Sequence, residues 1–191
     1  MAATEPIRDK RQLRQLAEHF LKRGQLRNYV LVVLGVHTAL RISDLLRLKW
    51  DDVFDFETNE VRKFVSVTEK KTRKEKIIAL NAAAVNALSV FAVRHSRPGR
   101  FLLENPRTRQ AISRVQAYRL IRAASEVLRF PARLSCHSLR KTFGYHAWKE
   151  GISPAVIMEI YNHSSLAVTR RYLGVTQDDK NEVYLKLGLI A

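Results

Sequence analysis

Residues 136–173 read CHSLRKTFGYHAWKEGISPAVIMEIYNHSSLAVTRRYL, and this stretch is the most informative about the fold. Its hydrophobic periodicity predicts helices at about 137–150, 154–161 and 165–173. Ser153 directly precedes Pro154, which is typical of a helix start, because serine caps free N–H groups and proline fits the first helical position. Tyr172 is the penultimate residue of the stretch and lies nine residues after His163. It therefore predicts a helical scaffold that carries polar side chains at fixed intervals.

The remainder of the chain is predicted to be mainly helical around one small sheet. The run LRNYVLVVLGVHTAL indicates a buried helix, and RISDLLRLKW indicates a second one. Between residues 52 and 80, the runs VFDF, VRKFVSVT and KIIAL are rich in β-branched and aromatic residues and are separated by charged turns. Asn81 is a plausible N-cap for the helix that follows. We therefore expect a mainly α (α+β) fold, with helices packed around a small antiparallel three-stranded sheet.

Charge indicates a polyanionic partner. The 191 residues include 34 lysines and arginines against 18 acidic residues, a net charge of +16. Basic residues recur among apolar ones, as in ENPRTRQAISRVQAYRLIR, so they predict a folded basic face for nucleic acid rather than a disordered arm. A surface that only confers solubility, or a ribosomal type of RNA contact, has the same composition.

Cysteine content and hydropathy exclude several classes of protein. Cys136 is the single cysteine, which excludes an intrachain disulfide and a cysteine-rich zinc site. The longest apolar run, YVLVVLGV, is far shorter than the ~20 residues that a bilayer span needs. The N-terminus lacks the pattern of a signal peptide. We expect a cytoplasmic protein without a membrane partner.

Four polar residues in the opening stretch form a candidate site. His137 and Arg140 are three residues apart and so share one helical face. His163 and Tyr172 follow at the nine-residue interval. A solvated histidine and arginine at a helix start are the ordinary explanation for the first pair taken alone. Two further tyrosines, Tyr145 and Tyr161, suit packing better than chemistry.

Upstream residues extend the candidate site. In TALRISDLLRL, Arg41 opens a helix and Asp44 lies one turn on, a spacing that a surface salt bridge also explains. Lys71 lies in the predicted basic hairpin turn, where a lysine is usually just solvated. Lys70, Lys74 and Lys76 are close in sequence, so the choice of Lys71 depends on the register of the hairpin.

The order and spacing of these residues resemble the catalytic domain of the tyrosine recombinases, the phage integrase family. TALRISDLLRLKWDDV is similar to the first arginine box of that family, and the opening stretch is similar to the second box and the nucleophile segment. The likeness runs from about residue 25 to 173. It implies a catalytic domain at 1–177 and a tail helix at 178–191, without a separate N-terminal DNA-clamp domain, as in small stand-alone members. Asn162 departs from the usual glycine, but asparagine tolerates a left-handed backbone next best.

The resemblance implies a transesterification. Tyr172 would attack a DNA phosphorus atom, form a 3′-phosphotyrosine and free a 5′-hydroxyl, so that rejoining needs no ATP. Arg41 and Arg140 would bind the non-bridging oxygens in place of a metal ion. No cofactor or metal is implied. The family assigns the remaining roles to Lys71 as proton donor to the leaving oxygen, His137 as general acid or base, His163 as hydrogen-bond donor to the phosphate and Asp44 as a residue orienting His137 or Arg41.

The expected partner is double-stranded DNA with a specific recombination site. The helix around 111–129 is a candidate for contact with a groove, although a solvated basic face explains its charges as well. We expect a monomer in solution, a tetramer on DNA and a possible accessory directionality factor. The predicted DNA-binding residues are Arg73, Lys74, Arg114, Arg119, Arg170 and Arg171.

Two other functions share this sequence pattern. A type IB topoisomerase-like enzyme would use the same nucleophile to relax DNA without exchanging strands. A DNA-binding accessory module would retain the fold without catalysis, although the six catalytic positions argue against it. The apolar side of the tail, which includes Val183, Leu185, Leu187, Leu189 and Ile190, suits docking on a neighbouring subunit or packing on its own domain.

Overall fold

The computed structural model describes residues 4–94 and 99–187. The helices are α1 (Lys10–Leu21), α2 (Leu26–His37), α3 (Ile42–Leu45), α4 (Trp50–Val53), α5 (Ala82–Val93), α6 (Arg114–Val127), α7 (Cys136–Lys149), α8 (Pro154–Tyr161), α9 (Leu166–Leu173) and α10 (Gln177–Lys186). The strands are β1 (Phe54–Asp55), β2 (Glu60–Val61), β3 (Phe64–Thr68) and β4 (Glu75–Ala79). The predicted mainly helical class is confirmed.

The strands form two antiparallel hairpins instead of the expected three-stranded sheet. β1 pairs with β2 and β3 pairs with β4, with Val65 opposite Ile78 in the second hairpin. The pairing partner changes at the dipeptide between β2 and β3: Arg62 N donates to Val53 O at 2.9 Å, whereas Lys63 O accepts from Leu80 N at 2.9 Å. Because β2 bonds to β1 and β3 bonds to β4, a continuous three-stranded ladder does not form among the described residues.

The main core surrounds α2, which is buried on nearly every side. Val30, Leu31 and Leu34 are fully buried there, and α1, α5 and α7 pack against this helix. A helix apolar all round is the expected occupant of a domain centre. Within the described residues, no helix combines the length and hydropathy that crossing a bilayer requires.

A smaller apolar cluster supports the candidate site. Ala39, Ile157, Tyr161 and Leu173 are buried together and join the segment after α2 to α8 and α9. Because the predicted nucleophile Tyr172 adjoins this cluster on α9, packing fixes the position of its helix relative to α7 and α8.

Local backbone signals in the sequence are confirmed. The Ser153 hydroxyl accepts from Ala155 N, with proline at the first position of α8, and the Asn81 side chain caps α5. Asn162 ends α8 in the left-handed conformation, with φ of 51° and ψ of 45°. The turn that leads into His163 thus forms with asparagine where the family usually has glycine.

An N-terminal segment crosses α7 and reaches the end of α9. Ile7 N donates to Thr142 Oγ1 at 2.9 Å, and Lys141 Nζ donates to Thr4 O at 2.8 Å. Arg8 donates to the carbonyl of Gly174, the residue that terminates α9, at 3.0 Å. These contacts hold the two helices that carry the candidate site against each other.

Candidate active site

Arg140 is a buried cation at the centre of the candidate site. Its exposed fraction is only 2%, and Nη2 donates to the carbonyl oxygen of Tyr161 at 2.9 Å, while Nη1 donates to the carbonyl of Ala39. The guanidinium carbon lies 4.5 Å from the centroid of the Tyr161 ring. Burial, followed by the charge of Arg41, lowers the pKa of Arg140 below its ordinary value. The guanidinium remains charged because arginine ionises so far above neutral pH.

Arg41, which precedes α3, converges on the same carbonyl. Its Nη2 donates to Tyr161 O at 3.3 Å, and Nη1 lies 2.8 Å from Oε2 of Glu69. The structure therefore brings together the two predicted phosphate-binding arginines from distant parts of the sequence. Two adjacent guanidiniums repel each other, and the buried Glu69 carboxylate offsets that repulsion.

Tyr172 meets His137 across α9 and α7. The phenol oxygen lies 3.4 Å from Nδ1 of His137, and the two ring centroids are 4.8 Å apart in an edge-to-face arrangement. Burial, followed by the charge of Arg140, lowers the pKa of His137. A neutral imidazole with Nδ1 free accepts a phenol proton, so this pair has the geometry of a nucleophile and its base.

His163 lies between two tyrosine rings. Its centroid is 4.9 Å from that of Tyr161 and 4.6 Å from that of Tyr172, and its Nδ1 is 3.1 Å from Thr169 Oγ1. Burial, followed by the charge of Arg140 and other neighbouring cations, lowers the pKa of His163 to about 4. The ring is therefore neutral at neutral pH, and a neutral imidazole still donates one hydrogen bond.

We expect His163 to make folding stability depend on pH. The unfolded chain binds a proton at His163 near pH 6.5, whereas the folded protein does so only near pH 4, so stability falls as the pH drops through this window. Urea unfolding of wild type and His163→Gln at pH 7 and pH 5 measures the effect. We expect the variant to lose about 1 kcal/mol less between the two values, a figure that discounts the shift for partial exposure. Equal losses would contradict a neutral His163.

The hairpin of β3 and β4 presents a second lysine toward the site, besides the predicted Lys71. Lys71 is exposed in the turn, whereas Lys76 on β4 donates from Nζ to the carbonyl of Ile160 at 2.8 Å. Burial, followed by the charge of Arg140, lowers the pKa of Lys76 to about 8. The sequence pattern indicates this position for Lys76, because side chains alternate along a strand and Lys76 therefore lies on the same face as the buried Ile78.

Asp44 has a different neighbour from the one expected. It is buried, and its Oδ1 accepts a hydrogen bond from the backbone N of Lys70 at 3.0 Å, so it holds the start of the hairpin turn. The family resemblance predicts instead that Asp44 orients His137 or Arg41. The carboxylate beside Arg41 is that of Glu69, a residue that no pattern in the sequence indicates.

The predicted DNA-binding residues lie exposed on three elements. Arg170 and Arg171 on α9 line an open cavity of about 940 Å³ beside Tyr172, together with His137 and Lys141. The other predicted contacts lie on the hairpin turn and on α6, and they are Arg73, Lys74, Arg114 and Arg119. A basic groove therefore adjoins the predicted nucleophile.

The chain is similar to known proteins of about its own length and to longer ones. "Probable integrase/recombinase YoeC" of Bacillus subtilis (strain 168) is 32% identical over 188 residues, covering 98% of this chain and 99% of YoeC. Tyrosine recombinase XerD of Corynebacterium glutamicum is 30% identical over 165 residues, covering 83% of this chain and 52% of XerD. The chain thus spans nearly all of one relative and about half of the other.

Solved structures share the fold. XerA recombinase superposes with a TM-score of 0.78 at 22% identity, covering 99% of this chain and 68% of that one. A lambda integrase dimer bound to a COC′ core site superposes with a TM-score of 0.71 at 17% identity, covering 100% of this chain and 53% of that one. The sequence profile of the phage integrase family matches residues 8–179. This chain therefore belongs to the phage integrase family, the tyrosine recombinases, a class of enzymes that cleave and rejoin DNA.

Proposed function

We propose that this protein is a site-specific DNA recombinase that cleaves and rejoins DNA through a 3′-phosphotyrosine at Tyr172. The observation that carries the proposal is the meeting of Tyr172 with His137 at 3.4 Å, beside two arginines that converge on one carbonyl. The four side chains come from positions spread between residues 41 and 172. Their convergence on one site is not expected of unrelated surface residues.

The proposed cleavage balances in protons and bonds. Tyr172 Oη forms a bond to phosphorus while the bond from phosphorus to the 5′-oxygen breaks, and the phenol proton passes to Nδ1 of His137. A lysine of the hairpin gives a proton to the departing 5′-oxygen, and rejoining reverses both transfers. Arg41 and Arg140 stabilise the charge that develops on the non-bridging oxygens.

An unpaired donor supports a phosphate at this position. Among the described residues, Nε of Arg140 is buried without a hydrogen bond, whereas Nη1 of Arg41 already faces the Glu69 carboxylate at 2.8 Å. Buried donors in native proteins nearly always have a hydrogen-bond partner. A phosphate bridging the two guanidiniums would supply it with charge-assisted bonds.

We further propose that DNA lies along the basic groove and that exchange takes place in a tetramer assembled on two sites. Binding would weaken as salt rises, because phosphate-bound counterions are released. The proposed contacts come from Arg170 and Arg171 in the groove, and from Arg73, Lys74, Arg114 and Arg119 on the hairpin turn and α6. An accessory factor that sets direction is part of this proposal.

The tail helix is proposed to dock on a neighbouring subunit. Lys149 tethers α10 to its own domain through Asp179 at 2.8 Å and Glu182 at 3.2 Å. Val183 and Leu185 remain 59% and 87% exposed, which leaves an apolar side free for a second subunit. Leu187 is also exposed, whereas Leu189 and Ile190 lie outside the described residues.

The test begins with a DNA selected for binding from a random-sequence library. A nick is then introduced so that the short end of the cut strand diffuses away and traps the cleaved state. We expect an SDS-resistant protein–DNA adduct whose tryptic peptide carries the phosphate on Tyr172. Relaxation of plasmids that lack the selected sequence would favour the topoisomerase-like alternative, and binding without an adduct would favour the accessory module.

A further inference from the structure

Glu69 is a buried carboxylate with no part in the proposed chemistry. It is fully buried at the end of β3, and its Oε2 lies 2.8 Å from Nη1 of Arg41. A buried carboxylate is costly unless charges or hydrogen bonds compensate it. Desolvation raises the pKa of Glu69, but hydrogen bonds from Thr72, Asn162 and Arg41 outweigh it, so that the pKa is lowered overall. The group is thus an anion fixed against one of the two arginines.

The same carboxylate holds the turn before His163. Nδ2 of Asn162 donates to Oε2 of Glu69 at 2.9 Å. Asn162 is the left-handed residue that ends α8, at the position where the family usually has glycine. Glycine would give the same backbone but no side chain, so the asparagine adds a bond from this turn to Glu69.

The hairpin turn is bonded to Glu69 as well. Thr72 Oγ1 donates to Oε2 at 2.8 Å, and the backbone of Glu69 exchanges bonds with Arg73 N and Lys74 O at 2.9 and 3.0 Å. One carboxylate oxygen therefore gathers three donors from Arg41, the lysine-bearing hairpin and the residue before His163. These are three separate parts of the proposed site.

We propose that Glu69 is a positioning residue that fixes Arg41, the hairpin turn and the His163 turn in one arrangement, with Asn162 as its partner. The inference rests on the proposed function for its effect on cleavage. The dependence of the position of the Arg41 side chain on Glu69 and Asn162 does not require the proposed function. The role is one of orientation, since the carboxylate would repel a phosphate.

The first arm measures single-turnover cleavage of the nicked DNA by Glu69→Gln and Asn162→Gly. We expect Glu69→Gln to slow cleavage at saturating DNA by about ten- to a hundredfold, because misplacement by about 1 Å costs up to that much. DNA affinity should stay equal or become tighter, since a negative charge is lost near the phosphate. Asn162→Gly retains the backbone and should slow cleavage by a smaller factor. Glu75→Gln, an exposed carboxylate on the same hairpin, is the matched control and should match wild type.

The second arm reads Arg41 without any reaction. In protein labelled with ¹⁵N-arginine, Arg41→Lys assigns the Nε–Hε signal of Arg41. We expect that signal to move in Glu69→Gln and in Asn162→Gly and to stay in place in Glu75→Gln. Thermal unfolding of each variant measures how much of the protein remains folded. If Glu69 had a purely structural role, its loss would lower the amplitude of cleavage, and the folded fraction would still cleave at the wild-type rate.

The two arms have distinct outcomes. Slower cleavage with unchanged amplitude and a shifted Arg41 signal supports the proposal. The proposal is overturned if the Arg41 signal does not move in Glu69→Gln, if Glu69→Gln cleaves within twofold of the wild-type rate, or if this variant loses only the amplitude of cleavage. If wild type forms no adduct but the Arg41 signal still depends on Glu69, the proposed recombinase function fails while the positioning of Arg41 stands.

Discussion

Tyr172→Phe is expected to abolish the covalent adduct while DNA binding stays within about twofold of wild type. The substitution removes one oxygen, which is the atom that would bond to phosphorus, and it leaves the ring against His137 and His163. Loss of a nucleophile typically removes several orders of magnitude of rate. The proposed DNA-binding groove retains its charges, so we expect the affinity for DNA to be unchanged.

Gel analysis after SDS treatment measures the adduct, and a filter-binding titration measures the affinity. Tyr184→Phe is the matched control, because Tyr184 is 80% exposed on α10 and its loss of an oxygen should change neither quantity. Tyr161 is fully buried, and its hydroxyl donates to Arg140 O at 2.5 Å, so this oxygen is already occupied in packing. An adduct that persists in Tyr172→Phe would mean that another residue is the nucleophile.

Lys71→Ala is expected to slow cleavage by about 10²- to 10⁴-fold, the usual contribution of a general acid. A DNA 5′-alkoxide is a poor leaving group without a proton. If sulfur replaces the bridging 5′-oxygen, the leaving group is a thiolate, whose conjugate acid has a pKa near 8.5, and no donor is needed. We therefore expect the sulfur-bridged DNA to restore the rate of Lys71→Ala to that of wild type.

Lys76→Ala is the comparison that makes this experiment decisive. Its ammonium group is already bonded to Ile160 O, so we expect it to supply positive charge and hold the hairpin on α8. Loss of those contacts should slow cleavage on both substrates, without rescue by sulfur. The reverse pattern, with rescue of Lys76→Ala only, would assign the proton to Lys76, whose pKa of about 8 suits a donor.

The helices and their ends could be predicted from sequence because their signals are local. Ser153 with Pro154 and the cap at Asn81 depend on neighbours a few residues away, and so does the left-handed Asn162. The meeting of His137 with Tyr172 could be expected only from the family pattern, since 35 residues separate them.

The remaining features depend on contacts distant in the sequence. The exchange of strand partners at Arg62 follows from hydrogen bonds to Val53 and Leu80, which no periodicity records. Glu69 acquires its role from Arg41 and Asn162, 28 and 93 residues away. Charged side chains are mostly exposed, so residue type alone predicts that Glu69 lies on the surface and not in the site.

The carbonyl end of α8 acts as a built-in counter-charge for the site. Its last two carbonyl oxygens, those of Ile160 and Tyr161, accept from Lys76, Arg41 and Arg140. The C-terminus of a helix carries roughly half a negative charge from its aligned peptide dipoles. The helix dipole therefore gathers the three cations before any DNA arrives. The backbone reduces the electrostatic cost of assembling the cations, so that in the proposed reaction an incoming phosphate would meet a site that is already arranged.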